Sequence, residues 1–246
     1  MIVENPKAPR AERFSTIVDL GLAAWGHRWP LYLAVAAASI AIEFTAARLA
    51  RFDPLWASIV LSCVDGFATA FVSLDVAARF AGDERPLRDI ARAAMSRWPL
   101  VSLVLLAILF VEAPAYVWVF GTPDETLYGI LILPALTVVG TFGITSVVAS
   151  IDTSMPPVAL AFYAFYRSLI AAAAWPNLGR VTIAGAMVAV PLMLQQLLQQ
   201  WLIGRGFAAG PAFFWANVPI DALCVAPFQA FFTYLYLDFT VREQRR

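Results

Sequence analysis

Between Pro99 and Phe120 the chain runs for twenty-two residues with only Ser102 and Glu112 as polar interruptions. A helix of that length spans the hydrocarbon of a bilayer. Lipid offers the backbone no hydrogen bonds, so such a segment has to satisfy its own N–H and C=O groups, as an α-helix does. The residues just before it follow a different pattern. From Leu87 to Trp98, Leu87, Ile90, Ala91, Ala94, Met95 and Trp98 share one helical face, while Arg88, Asp89, Arg92, Ser96 and Arg97 take the other. That is the 3.6-residue period of an amphipathic helix, with the basic polar face of one lying in a membrane surface. The unit therefore reads as a surface helix, Trp98 at the interface, Pro99 opening the next helix, and a span.

The rest of the chain repeats this unit. Glu12 to Trp29 is a second amphipathic stretch, and Trp29-Pro30 opens span one, which runs to about Arg48. Span two is about Leu55 to Ala78, span three Pro99 to Phe120 and span four about Leu127 to Ile151. A third surface helix, Val158 to Ala174, is more apolar all round and is expected to be more buried. Asp152 or Ser154 would cap its start. Trp175-Pro176 follows, then span five (about Val181 to Ile203) and span six (about Phe213 to Leu237). The expected fold is all-α: one transmembrane domain over residues 1–246, with six spans in three hairpins. The hairpin units are about 12–78, 86–151 and 156–238, with cytoplasmic amphipathic helices and a tail at 239–246.

Composition agrees. The chain is 61% hydrophobic and only 14% charged, against about a quarter charged in soluble domains. Net charge is zero, so no global field attracts nucleic acid. The opening residues lack an apolar signal-peptide core, which predicts a cytoplasmic N-terminus. With that terminus inside, fourteen of the 17 Lys and Arg face the cytoplasm, and Arg48, Arg51 and Arg205 face outward. The positive-inside rule then sets both termini inside.

Four acids fall within spans: Glu43, Asp65, Glu112 and Asp221. An ionisable group at membrane depth costs about 2.5–3.5 kcal/mol on insertion scales, so these form the candidate buried polar or ion site. Structural carboxyls hydrogen-bonded between helices are the alternative. Three more acids, Asp75, Asp152 and Asp238, close the even spans. A carboxylate at a helix C-terminus opposes the helix dipole and needs compensation. Asp75 has Arg79 and Asp238 has Arg242 four residues on, on the same face. Gln195, Gln196, Gln199 and Gln200 form a polar stripe expected to be a helix–helix seam, and Pro114, Pro191 and Pro227 are expected to kink their spans. Cys63 and Cys224 read as small buried hydrophobes. His27 has no ligand cluster around it, and no metal, cofactor or hydrolytic motif is present.

The last span ends Tyr234-Leu235-Tyr236-Leu237-Asp238-Phe239-Thr240-Val241-Arg242. This resembles the closing LYYDLRxR-type signature of the bacterial six-span group typified by the glycerophosphodiester phosphodiesterase membrane domain, with Phe239-Thr240 where that group has Leu-Arg. The resemblance extends to the layout of paired spans preceded by amphipathic cytoplasmic helices. It implies a bacterial inner-membrane location and no catalytic activity, since that group's enzymes carry their chemistry on a separate soluble barrel. The expected function is a non-catalytic module binding membrane lipids or membrane-protein partners, including further copies of itself. Arg88, Arg92 and Arg97 are its candidate anionic-lipid contacts. A transporter or permease component using the buried acids is the alternative, and an intramembrane enzyme a third class with no constellation to support it.

Overall fold

Prolines open helices where a missing N–H leaves nothing unsatisfied. Pro30 is the second residue of α2 (Trp29–Leu49), Pro54 the first of α3 (Pro54–Phe80) and Pro157 the first of α6 (Pro157–Ala173). In this computed structural model residues 13–49, 54–83, 85–120, 125–152, 156–174 and 177–244 are described, together with most of their side chains. The remaining helices are α1 (Phe14–His27), α4 (Leu87–Phe120), α5 (Glu125–Ile151), α7 (Asn177–Gly204) and α8 (Ala209–Gln244), and no strand occurs among the described residues. Left-handed glycines close two of them. Gly82 (φ 73°) follows α3, with Asp83 N–H donating back to Ala78 O at 2.9 Å. Gly206 (φ 92°) follows α7, with Phe207 N–H donating to Leu202 O at 3.1 Å. Both are Schellman-type stops that need a residue free to adopt positive φ.

Among the described residues, four helices are long and apolar enough to cross a membrane, over Trp29–Ala46, Leu87–Phe110, Leu131–Ile151 and Asn177–Gly204. Their outer faces carry Ile42, Leu103, Phe110, Leu133, Val190, Met193 and Leu197, all exposed. A soluble protein would not leave so continuous an apolar surface in water. The chain is an all-α membrane protein.

The packing has two layers. Helices α3, α5 and α8 touch one another. Around them α2 lies against α3 and α8, α4 against α3 and α5, and α7 against α5 and α8. Helix α1 packs on α8, and α6 packs on α5. Small residues set the closest approaches. A Cβ at Gly66 would stand 2.8 Å from the Ser102 nitrogen, so α3 and α4 meet backbone to backbone as the small residue beside Asp65 predicts. One at Gly21 would stand 2.8 Å from Phe231 Cα, which fixes α1 on α8.

Several expectations are corrected. Leu87–Trp98 is not a separate surface helix, because α4 continues unbroken through Trp98-Pro99. Its expected apolar face is divided: Ile90 and Ala94 are buried, while Leu87, Met95 and Trp98 are exposed. The chain does break before Trp29-Pro30, at Arg28. Gly26 weakens the helix there, whereas Ala91 to Arg97 is a run of good helix formers that outweighs one lost hydrogen bond at Pro99. Trp175-Pro176 lies outside the described residues. Helix α6 is, as expected, more buried than α1: it buries Leu160, Ala164, Ser168, Ala171 and Ala172 where α1 buries Ile17, Gly21 and Ala24, and it keeps an outer face of Phe162, Tyr166 and Leu169. Its N-cap position is Pro156 rather than Asp152 or Ser154, and Ser154 is outside the described residues. No tail begins at residue 239. Helix α8 continues to Gln244 and Phe239 is buried, because Glu243 is held against α6 by a two-pronged pair with Arg167, Nη1 standing 3.0 Å from Oε1 and Nη2 meeting Oε2. Glu243's hydrogen bond raises the Arg167 pKa above the ordinary guanidinium value, so the pair keeps its positive member at every accessible pH.

Candidate functional site

Two of the inner helices, α3 and α8, carry ion clusters near their C-terminal ends. Asp75, near the end of α3, is fully buried and saturated with donors. Arg28 Nη1 stands 2.8 Å from Oδ1, while Arg79 Nη2 and the Tyr32 hydroxyl reach Oδ2 at 2.7 and 2.6 Å. Arg79 also donates to the Tyr32 oxygen at 2.6 Å and to the Ala24 carbonyl at 3.3 Å, tying the end of α1 to α3. At the end of α8, Asp238 Oδ2 receives Arg242 Nε at 2.6 Å and Arg180 Nη1 at 2.8 Å. The i, i+4 arginines are the compensation that the sequence predicts. The second arginine of each cluster comes from outside the helix that carries the acid, Arg28 from the α1–α2 corner and Arg180 from α7, and Tyr32 comes from α2. Their sequence separations of 47, 58 and 43 residues left no local signal.

Further into the bundle from these clusters, a buried amide joins the three inner helices. Gln229 Nε2 on α8 donates to Ser73 Oγ on α3 at 2.7 Å, and its Oε1 accepts from Ser146 Oγ on α5 at 3.3 Å. The Ser146 hydroxyl has one proton and shares it with the nearer Gly143 carbonyl, at 2.7 Å. Sequence reasoning missed Gln229. A lone amide among Pro227, Phe228, Phe231 and Phe232 was the available signal, since such a group in lipid must find a partner.

Above this bridge lies a cavity of about 300 Å3 bounded by α3, α4, α5, α7 and α8. Most of its wall is apolar, including Leu105, Ile108, Phe142, Val188, Leu192 and Phe232. Polar groups stand at a few points: Ser62, Asp65 and Thr69 on α3, Ser146 on α5, Gln195 on α7, and Gln229 on α8. Pro191 is also in the wall, at a turn of α7 where no N–H bonds back to residue 187. A second, much smaller cavity of about 20 Å3 lies between α2, α3 and α8, lined by Glu43 and again by Asp65. Helical rise explains the match. Glu43 is eleven residues from Tyr32 and Asp65 ten from Asp75, so both stand about 15–17 Å along antiparallel helices from the same ion cluster. The small cavity has room for about one water molecule.

Of the four intramembrane acids, Glu43 and Asp65 are thus brought together, with Glu43 only 4% exposed and Asp65 half-buried. Glu112 and Asp221 sit on α4 and α8, but their side chains lie outside the described residues, as does that of Pro114. The glutamine stripe is divided. Gln195 is buried at the cavity, while Gln196 and Gln200 are exposed, so no continuous seam forms within the chain. Cys63 is not the buried hydrophobe expected: its side chain is exposed and its carbonyl accepts from Ser102 Oγ at 3.2 Å and from the Trp98 indole. Cys224 is half-buried in the cavity wall. Among the candidate lipid contacts, Arg88 and Arg92 are exposed, with Arg92 3.3 Å from Asp89, and Arg97 is half-buried. No family model, curated protein or solved structure matches the chain.

Proposed function

We propose that the protein is a non-catalytic membrane module that holds an amphipathic, lipid-like molecule in the cavity between its inner helices. The observation that carries this reading is the composition of the cavity wall: long apolar surfaces for a chain, with Asp65, Gln195, Ser146 and Gln229 as sparse polar anchors. Ligand sites of this size are built in that way, with a few placed polar groups on an apolar lining. The topology we adopt with it is six spans in three hairpins, both termini cytoplasmic, in a bacterial inner membrane. The packing supports this topology, because each odd span (α2, α4, α7) lies between two of the three inner helices. Exposed Trp29 and Trp98 toward one end and Trp56, Trp201 and Trp215 toward the other fit the two aromatic belts of such a topology. The exposed arginines Arg88 and Arg92, with Arg97, add a diffuse attraction to anionic lipid.

Transport is the second reading. It is favoured by an acid, Asp65, shared between two cavities, and by prolines at 134, 191, 219 and 227 inside helices. Such interruptions are where half-helices bend around a substrate in transporters.

Cys224 separates the two. In a Cys63→Ser protein it is the sole thiol. A lipid-binding cavity predicts that a neutral lipid-soluble maleimide labels Cys224 while a charged methanethiosulfonate does not. Filling the cavity with Leu192→Trp should slow the maleimide on the order of tenfold, from lost access alone. Rapid labelling by the charged reagent from one side of sealed vesicles would move transport ahead. No labelling by either reagent, with Leu192→Trp indifferent, would defeat both readings.

A further inference from the structure

We propose that a polar cleft at the corner of α1, α2, α3 and α4 is a binding site for a phosphate ester, separate from the central cavity. The cleft measures about 340 Å3 and is lined by His27, Arg28, Asp75, Arg79, Asp83 and Arg85 with two small apolar contacts. Three guanidinium groups and the only imidazole of the chain therefore face two carboxylates. Asp75 is already fully engaged, with an arginine on each oxygen and a tyrosine hydroxyl on one, so it has little left to offer either arginine. Arg28 uses one guanidinium nitrogen, Nη1, on Asp75, and Arg85 uses Nε on Asp83, at 2.6 Å. The remaining N–H groups of these two arginines have no protein acceptor among the described residues. The described lining residues thus carry a net positive charge, and they offer spare forked donors in the geometry that phosphate oxygens accept in pairs.

Its place in the fold fits the same ligand. Arg28 is the corner residue between α1 and α2, next to exposed Trp29, the residue type that marks headgroup depth. The Arg85–Asp83 pair at the mouth is exposed on both sides, at 57% and 45%, so it opens at little cost when a stronger acceptor arrives. A lipid headgroup phosphate and a phosphate ester in solution present the same chemistry to this site.

The experiment is native mass spectrometry of the full chain, delipidated and titrated with phosphatidylglycerol or with phosphatidylcholine, with inorganic phosphate as competitor. One tightly retained phosphatidylglycerol is expected. Arg85→Gln should weaken it about fivefold, the equivalent of about 1 kcal/mol for a basic side chain at headgroup depth. Asp83→Asn should strengthen it by about the same factor, because it removes the negative charge that competes with the phosphate for Arg85. Both residues are exposed at the mouth, so both proteins should fold. Arg92→Gln, equally basic and exposed on α4, should leave that lipid within about twofold, which separates a site from general attraction of a basic surface. Displacement by inorganic phosphate alone, with the same dependence on Arg85 and Asp83, would assign the site to a soluble phosphate ester. Retention of the lipid against it would assign the site to a headgroup. Equal losses in Arg85→Gln and Arg92→Gln, or changes of the same sign in Arg85→Gln and Asp83→Asn, or no binding of either probe, would overturn the proposal.

Discussion

Asp75→Ala should lower the stability of the protein by about 3–5 kcal/mol, the range found when one member of a buried ion pair is removed. The carboxylate has no exposed surface and is the common acceptor for Arg28, Arg79 and Tyr32. Without it two half-buried guanidinium groups face each other across an empty site. Most of the cost comes from those stranded charges rather than from the lost attraction. The loss would appear as a fall of about 10 °C in the unfolding midpoint of the detergent-solubilised protein. Two milder variants set the scale. Tyr32→Phe removes one donor and leaves both arginines on Asp75, so about 1 kcal/mol is expected. Asp75→Asn keeps the shape and one acceptor but not the charge, and should fall between the two. If Asp75→Ala and Tyr32→Phe unfold at the same temperature, the cluster carries no more than an ordinary hydrogen bond. Because Arg79 also holds the Ala24 carbonyl, Asp75→Ala should release α1 as well, and cleavage by protease near Arg28 should rise with it.

This cluster also shows what the sequence makes legible. The i, i+4 partner of Asp75 is visible because helical geometry dictates which residues are neighbours within one element. Arg28 and Tyr32 are not, because their proximity depends on where the α1–α2 corner lands on α3. The all-α membrane class follows from run length and polarity alone, and most helix boundaries lie within two or three residues of the positions read from caps, prolines and glycines. The reading went wrong at Trp98-Pro99. A Trp-Pro pair looks the same whether proline starts a helix or interrupts one, and the decision belongs to the residues before it: Gly26 in one case, the alanines and arginines of 91–97 in the other. The intramembrane acids were legible as a cost that demands an interior location. That Glu43 and Asp65 share a cavity, while Gln195 and Gln229 furnish the polar anchors of the larger one, depends on how the helices are rotated about their axes. Periodicity constrains that rotation only weakly in spans that are apolar on every side.

Glycine is where that rotation is enforced, and the second large effect is expected there. A Cβ on Gly185 of α7 would collide with the Leu136 carbonyl of α5, standing 2.7 Å from its carbon and 3.0 Å from the Gly140 nitrogen. Gly140 faces the reciprocal problem, with its Cβ 3.0 Å from the Val181 carbonyl carbon. All of these obstacles except one Val181 methyl are backbone, so no rotamer change makes room and the two helices have to move apart. Gly185→Ala should therefore destabilise by about 1–3 kcal/mol, the usual cost of overpacking, despite a gain of up to about 1 kcal/mol in helix propensity. Gly179→Ala in the same helix is the control. Nothing lies within 4 Å of its Cβ position, so propensity acts alone and the midpoint should rise. One substitution, made six residues apart, should thus change sign. Should both raise stability, the α5–α7 contact is looser than its backbone separation implies. The consequence extends to the cavity, because Pro191 and Gln195 lie about 9 and 15 Å further along α7. Moving α7 off α5 opens the wall between Val139 and Val188, so Gly185→Ala should also speed the labelling of Cys224 by the lipid-soluble maleimide. A stability loss without that increase would mean that α7 shifts as a rigid piece together with α8, and that the cavity is held closed from the α8 side, by Gln229 and its two serines.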